Sequence, residues 1–192
     1  MRKSIYSRKT KETSITCEVN LDGSGIANIS TGIGFFDHML QAFATHSGFD
    51  LNIKMVGDID VDKHHTVEDT GIALGKAIKE ALGDKRGISR FANAYVPMDE
   101  SLAFAALDVS GRSFLEFFAR FTYKNIGDYE ADATEEFMRA LAFNAEVTLH
   151  TRAMYGSNDH HITEALYKAV ARCFRAASKV EGNKIPSSKE SL

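Results

Sequence analysis

The pattern His-His-x-x-Glu occurs twice, as His64-His65-Thr66-Val67-Glu68 and as His160-His161-Ile162-Thr163-Glu164, and takes up four of the seven histidines. On a helix, residues four apart lie one above the other on one face, so His64 with Glu68, and His160 with Glu164, can each grip one ion. The second histidine of each pair points about 100° away and reaches a different ion. One copy does not easily close a site around one metal, whereas two copies can close sites around two. The repeat predicts a dinuclear centre and a chain built as two similar halves.

The order of predicted elements supports the two halves. Ser14 to Leu21 alternates as a strand, turns at Asp22-Gly23-Ser24-Gly25 in a hairpin signal, and continues as a strand from Ile26 to Ile29. A helix follows over Phe36 to Thr45, then a strand from Leu51 to Met55, the acidic loop Asp58 to Asp62, the first motif, and a helix from Val67 to Leu82. The second half reads the same way. Strand Leu102 to Val109 turns at Ser110-Gly111 into strand Phe114 to Phe121, followed by helix Thr134 to Asn144, strand Val147 to Ala153, the second motif and helix Ile162 to Ser178.

Setting His38 against Glu136 pairs Leu40 with Met138, Phe43 with Leu141 and Leu51 with Leu149, so apolar positions coincide. Glu12 stands eleven residues before Gly23, as Glu100 stands eleven before Gly111. The expected organisation is one catalytic domain over residues 1–192, made of repeats at about 5–93 and 94–180 with a polar tail from 181. Strands grouped ahead of a helix predict an α+β fold, with antiparallel sheets covered on one face by helices.

With 44% hydrophobic residues and a net charge of −3, the chain can bury a core and offers no basic stripe for nucleic acid. No apolar run is long enough to span a bilayer, and the first residues lack an apolar signal core. A cytoplasmic location is expected. Cys17 and Cys173 have no second cysteine at ligand spacing and read as small buried hydrophobes.

A single histidine pair at a helix start more often packs or caps than binds metal. Two pairs with one glutamate offset change that weighting. His38 lies 26 residues before His64, and the aligned Glu136 lies 24 before His160, so each half offers one ligand from its first helix and three from its motif. Imidazole and carboxylate without thiolate suit Mn, Fe, Co, Ni or Zn. His46, two turns beyond His38, falls on nearly the same face and is open to a supporting, substrate-binding or acid-base role. His150, in a strand, reads as structural.

Gly34-Phe35-Phe36-Asp37-His38-Met39-Leu40, Asp60 to Asp69, Asn158-Asp159-His160-His161 and Ile185-Pro186-Ser187-Ser188-Lys189 together resemble the imidazoleglycerol-phosphate dehydratase family over essentially the whole chain. The resemblance implies duplicated half-domains like the second domain of ribosomal protein S5, a helical layer between two four-stranded sheets, and assembly of 24 subunits with shared active sites. It implies two Mn ions per site, held by His38, His64, His65, Glu68, His160, His161 and Glu164, with residue 136 as a further ligand. Some relatives carry histidine where this chain has Glu136, and glycine where it has Glu190. Phosphate contacts carry over to Arg90, Arg112, Lys168, Ser187 and Lys189, types that bind phosphate oxygens by fork, point charge or single hydrogen bond.

The implied reaction is loss of water from imidazole glycerol phosphate to give imidazole acetol phosphate, in histidine biosynthesis. No carbonyl acidifies the proton that leaves, so the ring has to supply the activation, as a metal-bound imidazolate that expels the hydroxyl through a diazafulvene-like intermediate. Glu12 matches a family active-site glutamate and is the first candidate for proton transfer; His46 is the second. Asp37 and Asp69, each beside a proposed ligand, are open to orienting histidines or capping helices. From the residues alone, a dinuclear hydrolase and a metal-storage shell are the competing readings.

Overall fold

The computed structural model describes residues 1–189; Glu190 lies outside them. The first half runs β1 (Lys3–Lys9), β2 (Thr13–Asn20), β3 (Ala27–Ser30), α1 (Gly34–Ser47), β4 (Asp50–Gly57) and α2 (His64–Leu82). The second runs β5 (Phe91–Met98), β6 (Ser101–Asp108), β7 (Phe114–Phe118), the short strands β8 (Asn125–Ile126) and β9 (Tyr129–Glu130), α3 (Ala133–Ala145), β10 (Thr148–Tyr155) and α4 (Asp159–Ala177). The two four-stranded sheets have the orders β1-β2-β4-β3 and β5-β6-β10-β7. In each, two antiparallel pairings are followed by one parallel pairing at the far edge.

The α+β class and the helical layer between two sheets match the expectation. Within each sheet, strands alternate between buried and more exposed positions, as in β2 with Ile15, Cys17 and Val19 inward. The inward faces receive α2 and α4, while α2 packs on α3 and α1 on α4, so both helix pairs cross between the halves. Gly71 and Gly75 on α2 permit that approach: a Cβ at either would stand 2.8 Å from the Phe137 carbonyl or 2.7 Å from that of Leu141. Between the helices, Phe36 meets the Phe137 ring edge-on at 5.4 Å and stacks on Tyr129 at 5.8 Å, and Phe137 stacks on Tyr167 at 5.1 Å.

Two local expectations are corrected. Residues 14–21 and 26–29 form no hairpin with each other, nor do the strands either side of Ser110-Gly111. The third strand of each half crosses over to pair parallel with the strand after the first helix. In the first half the Asp22–Gly25 segment is instead tied down by Asp50, whose carboxylate accepts from the Ser24 and Ile26 backbone N–H groups at 2.8 and 3.1 Å. The outer strands β1 and β5 were not anticipated. Both are edges with little burial, and Pro97 in β5 sits where an edge tolerates a missing donor.

The candidate metal centre

Each motif occupies the first turn of the second helix in its half, held there by local caps. Asn158 accepts from the His160 and His161 backbone N–H groups at 3.0 and 3.4 Å, and Asp62 accepts from that of His64 at 2.7 Å. The helix carrying His38 is anchored across the halves: Gly34 and Phe35 donate backbone N–H bonds of 2.7 and 3.1 Å to the Asp128 carboxylate, beyond β8. That carboxylate supplies the cap which Ile33 cannot.

These anchors bring His38 from the first half to His160 and Glu164 from the second. Oε2 of Glu164 lies 3.2 Å from His38 Nε2 and 3.1 Å from His160 Nε2, and Oε1 accepts from Lys168 Nζ at 2.7 Å. One ligand atom from each of the three lies within 4.8 Å of the others, the single such convergence of three among the described residues. Two ligands about 2.1 Å from one ion and at right angles to each other lie about 3 Å apart, so the donor set fits a divalent cation. Burial pushes the Glu164 carboxyl up, but Lys168, His160 and His38 outweigh it and hold the group below its usual range as an anion.

The first motif is looser. His64 Nε2 is 3.6 Å from Glu68 Oε2, and Glu136 faces Arg139 Nε at 3.9 Å without joining them in a three-ligand group. His38 of the first half thus joins the motif of the second, because α1 packs on α4.

The second histidine of each motif turns to a carboxylate. His65 Nδ1 lies 3.2 Å from both oxygens of Asp58 and 3.9 Å from Glu12 Oε2. His161 Nδ1 lies 2.7 Å from Glu100 Oε2. The hydrogen bonds to Asp58 and Glu100 raise both imidazoles above their ordinary value, and Glu100 is held well below the carboxylate range by His161, Ser101 and the Asn158 N–H. Asp58 and Glu100 were not assigned from sequence. The signal for Glu100 was its match to Glu12, and for Asp58 its place in the acidic loop.

Asp37 and Asp69 hold no histidine: Asp37 accepts from Thr31 at its N–H and hydroxyl, and Asp69 pairs with Arg8 and Thr13. His46 is partly buried, and its pKa is lowered by burial and by the charges of Lys168 and Arg172. His150 lies against Phe114, with ring centroids 5.7 Å apart and the planes tilted by 37°, on the exposed side of the second sheet.

Of the residues matched to phosphate binding, four cluster at the tail. Arg90 grips Asp108 at 2.7 and 3.2 Å and donates to the Pro186 carbonyl at 2.8 Å, next to Ser187. Arg112 stands 3.8 Å from the same Asp108, and Lys189 donates its N–H to Ser187 Oγ at 3.2 Å. Lys168 is with Glu164 beside His38 and His160 instead.

Sequence and structure comparisons place the chain among known relatives. The family profile described as imidazoleglycerol-phosphate dehydratase matches residues 31–174. The imidazoleglycerol-phosphate dehydratase of Acetivibrio thermocellus is 56% identical over 93% of this chain and 91% of its own length, and that of Methanosarcina mazei is 53% identical over the whole of both. The crystal structure of the Staphylococcus aureus enzyme superposes with a TM-score of 0.82 at 37% identity, covering 91% of this chain and 98% of that one. The Pyrococcus furiosus enzyme, crystallised with (S)-C348, gives 0.84 at 33% identity over 97% and 100%. With a profile match over most of its length and relatives at this identity, the chain belongs to the imidazoleglycerol-phosphate dehydratase family, a family of hydro-lyases.

Proposed function

We propose that the protein dehydrates D-erythro-imidazole glycerol phosphate to imidazole acetol phosphate and water, with two Mn ions per site, as a step of histidine biosynthesis. The observation that carries the reading is the meeting of His38 Nε2, His160 Nε2 and the buried Glu164 carboxylate at one point. Those three would hold one ion; His64, His65, Glu68, Glu136 and His161 are the remaining ligands, with Glu136 standing where some relatives use histidine. Bound there, divalent manganese supplies Lewis acidity toward the nitrogens of the substrate's imidazole.

The chain's own groups divide the remaining work. Lys168 fixes Glu164 as an anion by holding its other oxygen. Glu12, with a side chain 57% exposed, is free to approach the substrate and take the proton from the carbon next to the one that loses hydroxide. The ring would give up its N–H proton and its electrons would expel the hydroxyl, which would leave as water carrying that proton, so that a diazafulvene-like stage precedes removal of the carbon-bound proton. The enol that results tautomerises to the ketone. His46, whose lowered pKa favours the neutral imidazole, is the second candidate for moving a proton. Arg90, Arg112, Ser187 and Lys189 would receive the phosphate, drawing the two guanidinium groups partly from Asp108.

Lys168 and the tail set lie on different parts of one chain, and the first motif is not closed by Glu136. Both features support sites completed by neighbouring subunits, and a 24-subunit assembly belongs to the same proposal. No described helix is long and apolar enough to cross a membrane, and a cytoplasmic location belongs to the same proposal.

The test is turnover of imidazole glycerol phosphate by the purified protein, before and after chelation, with Mn restored. Product formation abolished by chelator and recovered with Mn is the expected result. Turnover that survives complete metal removal contradicts it, and hydrolysis of simple phosphate esters without dehydration would support the dinuclear hydrolase.

A further inference from the structure

Glu12 and Glu100 occupy the same place in the two halves, just ahead of β2 and β6, yet the structure uses them differently. Glu100 is fully engaged. Its Oε2 meets His161 Nδ1 at 2.7 Å, and its Oε1 accepts from Ser101 Oγ at 2.8 Å, the Asn158 N–H at 2.9 Å and the Ser157 N–H at 3.2 Å. Glu12 stands 3.9 Å from the matching His65 Nδ1, beyond hydrogen-bond range, while both oxygens of Asp58 lie 3.2 Å from that nitrogen.

The counterpart of Asp58 in the second half is Ser157. Gly57 ends β4 against Thr66 and Thr13, where a Cβ would come within 2.1 Å of Thr66 Oγ1. Gly156 lies just past β10, one position displaced by the irregularity between Ala153 and Tyr155, and a Cβ there would meet Ser101 Oγ at 2.3 Å and Ile162 Cγ1 at 2.7 Å. Thr66 and Ile162 are the third residues of their motifs, and Thr13 and Ser101 follow Glu12 and Glu100, so the glycines and the residues after them correspond. One half therefore carries Glu12 with Asp58, and the other Glu100 with Ser157.

We infer that the halves have divided one task differently: Asp58 positions His65, Glu100 positions His161, and Glu12, relieved of that work by Asp58, is left free to move the substrate proton. A carboxylate on Nδ1 fixes the ring orientation and the tautomer, leaving Nε2 as the bare donor to a metal. Ser157 has no carboxylate to offer, which is why Glu100 cannot be released in the same way. The inference rests on the proposed ligation by His65 and His161 and on Glu12 as the proton carrier.

The test uses the full-length protein and Mn alone, with calorimetric titration, thermal melting, and turnover at saturating Mn for wild type, Asp58→Asn, Glu100→Gln, Glu12→Gln and Asn158→Ala. Loss of an orienting partner typically weakens metal binding roughly 10- to 100-fold, so Asp58→Asn and Glu100→Gln are expected to lower Mn affinity by about tenfold or more. Glu12→Gln is expected to keep Mn affinity within about twofold while turnover falls by about 100-fold or more. Asn158→Ala loosens the same loop without touching Nδ1 of His161 and is expected to perturb Mn binding less than Glu100→Gln does. Wild-type affinity in Glu100→Gln or Asp58→Asn overturns the inference, as does Glu12→Gln weakening Mn like Asp58→Asn, or Asn158→Ala matching Glu100→Gln. If Glu100→Gln fails to fold, Asp58→Asn against Glu12→Gln decides the first half on the same criteria. Failure of the wild type to bind Mn at all would instead bring down the proposed function.

Discussion

At the scale of single residues, Glu164 carries the most. It is buried, and it touches His38, His160 and Lys168 together. Replacing Lys168 with Met should leave a buried carboxylate facing only two histidines, a costly arrangement in the absence of metal. The variant is expected to melt lower than wild type in chelator and to recover most of that loss with Mn; a melting point insensitive to both changes would contradict the role given to Lys168. The His64–Glu68 and His160–Glu164 pairs were legible in the sequence because a helix repeats its face every four residues. The carboxylates beside His65 and His161 were not, since Asp58 and Glu100 reach those rings through strand ends and loops, where no periodicity connects positions. Asp37 and Asp69, left open between orienting a histidine and capping a helix, meet Thr31 and the Arg8–Thr13 pair instead of a histidine.

At the scale of elements, the caps decide where the motif histidines and His38 stand. Asp128→Ala removes the carboxylate that accepts from the first two N–H groups of α1, with an expected loss of about 1 kcal/mol. That corresponds to a fall of roughly 2–4 °C in melting temperature for a chain of this size, measurable by calorimetry. Asp50 fixes the segment leading into β3, and its carboxyl is held below the ordinary value chiefly by the Ser24 N–H, then by Asn20 and Ile26. A depressed folded-state pKa contributes stability above the unfolded value of about 4, lost as pH falls through the lower folded value. Melting curves from pH 6 to 2 should therefore show a smaller acid-induced loss for Asp50→Asn than for wild type, starting from a lower melting point. Equal slopes would remove Asp50 from the account. All four helices were readable from periodicity, but the parallel pairing of β3 and β7 was not, because a glycine-rich turn between two short strands looks the same whether or not the strands pair.

Across the whole molecule, the halves are joined by crossed helix pairs, and the His38–His160–Glu164 cluster belongs to neither half alone. α1 on α4 brings His38 to the second motif, and α2 on α3 closes over Gly71 and Gly75. Gly75→Leu should force the α2–α3 pair apart and cost several °C of melting temperature; a wild-type melt would show that the close approach is not needed. The repeat in the sequence foretold two similar units but not how they face, since packing between halves depends on side-chain volumes that no internal alignment ranks. The most direct measurement is a Mn-edge anomalous difference map from crystals grown with Mn. A peak within coordination distance of His38 Nε2, His160 Nε2 and the Glu164 carboxylate is the predicted result. Mn bound elsewhere, with that point empty, would contradict the central claim.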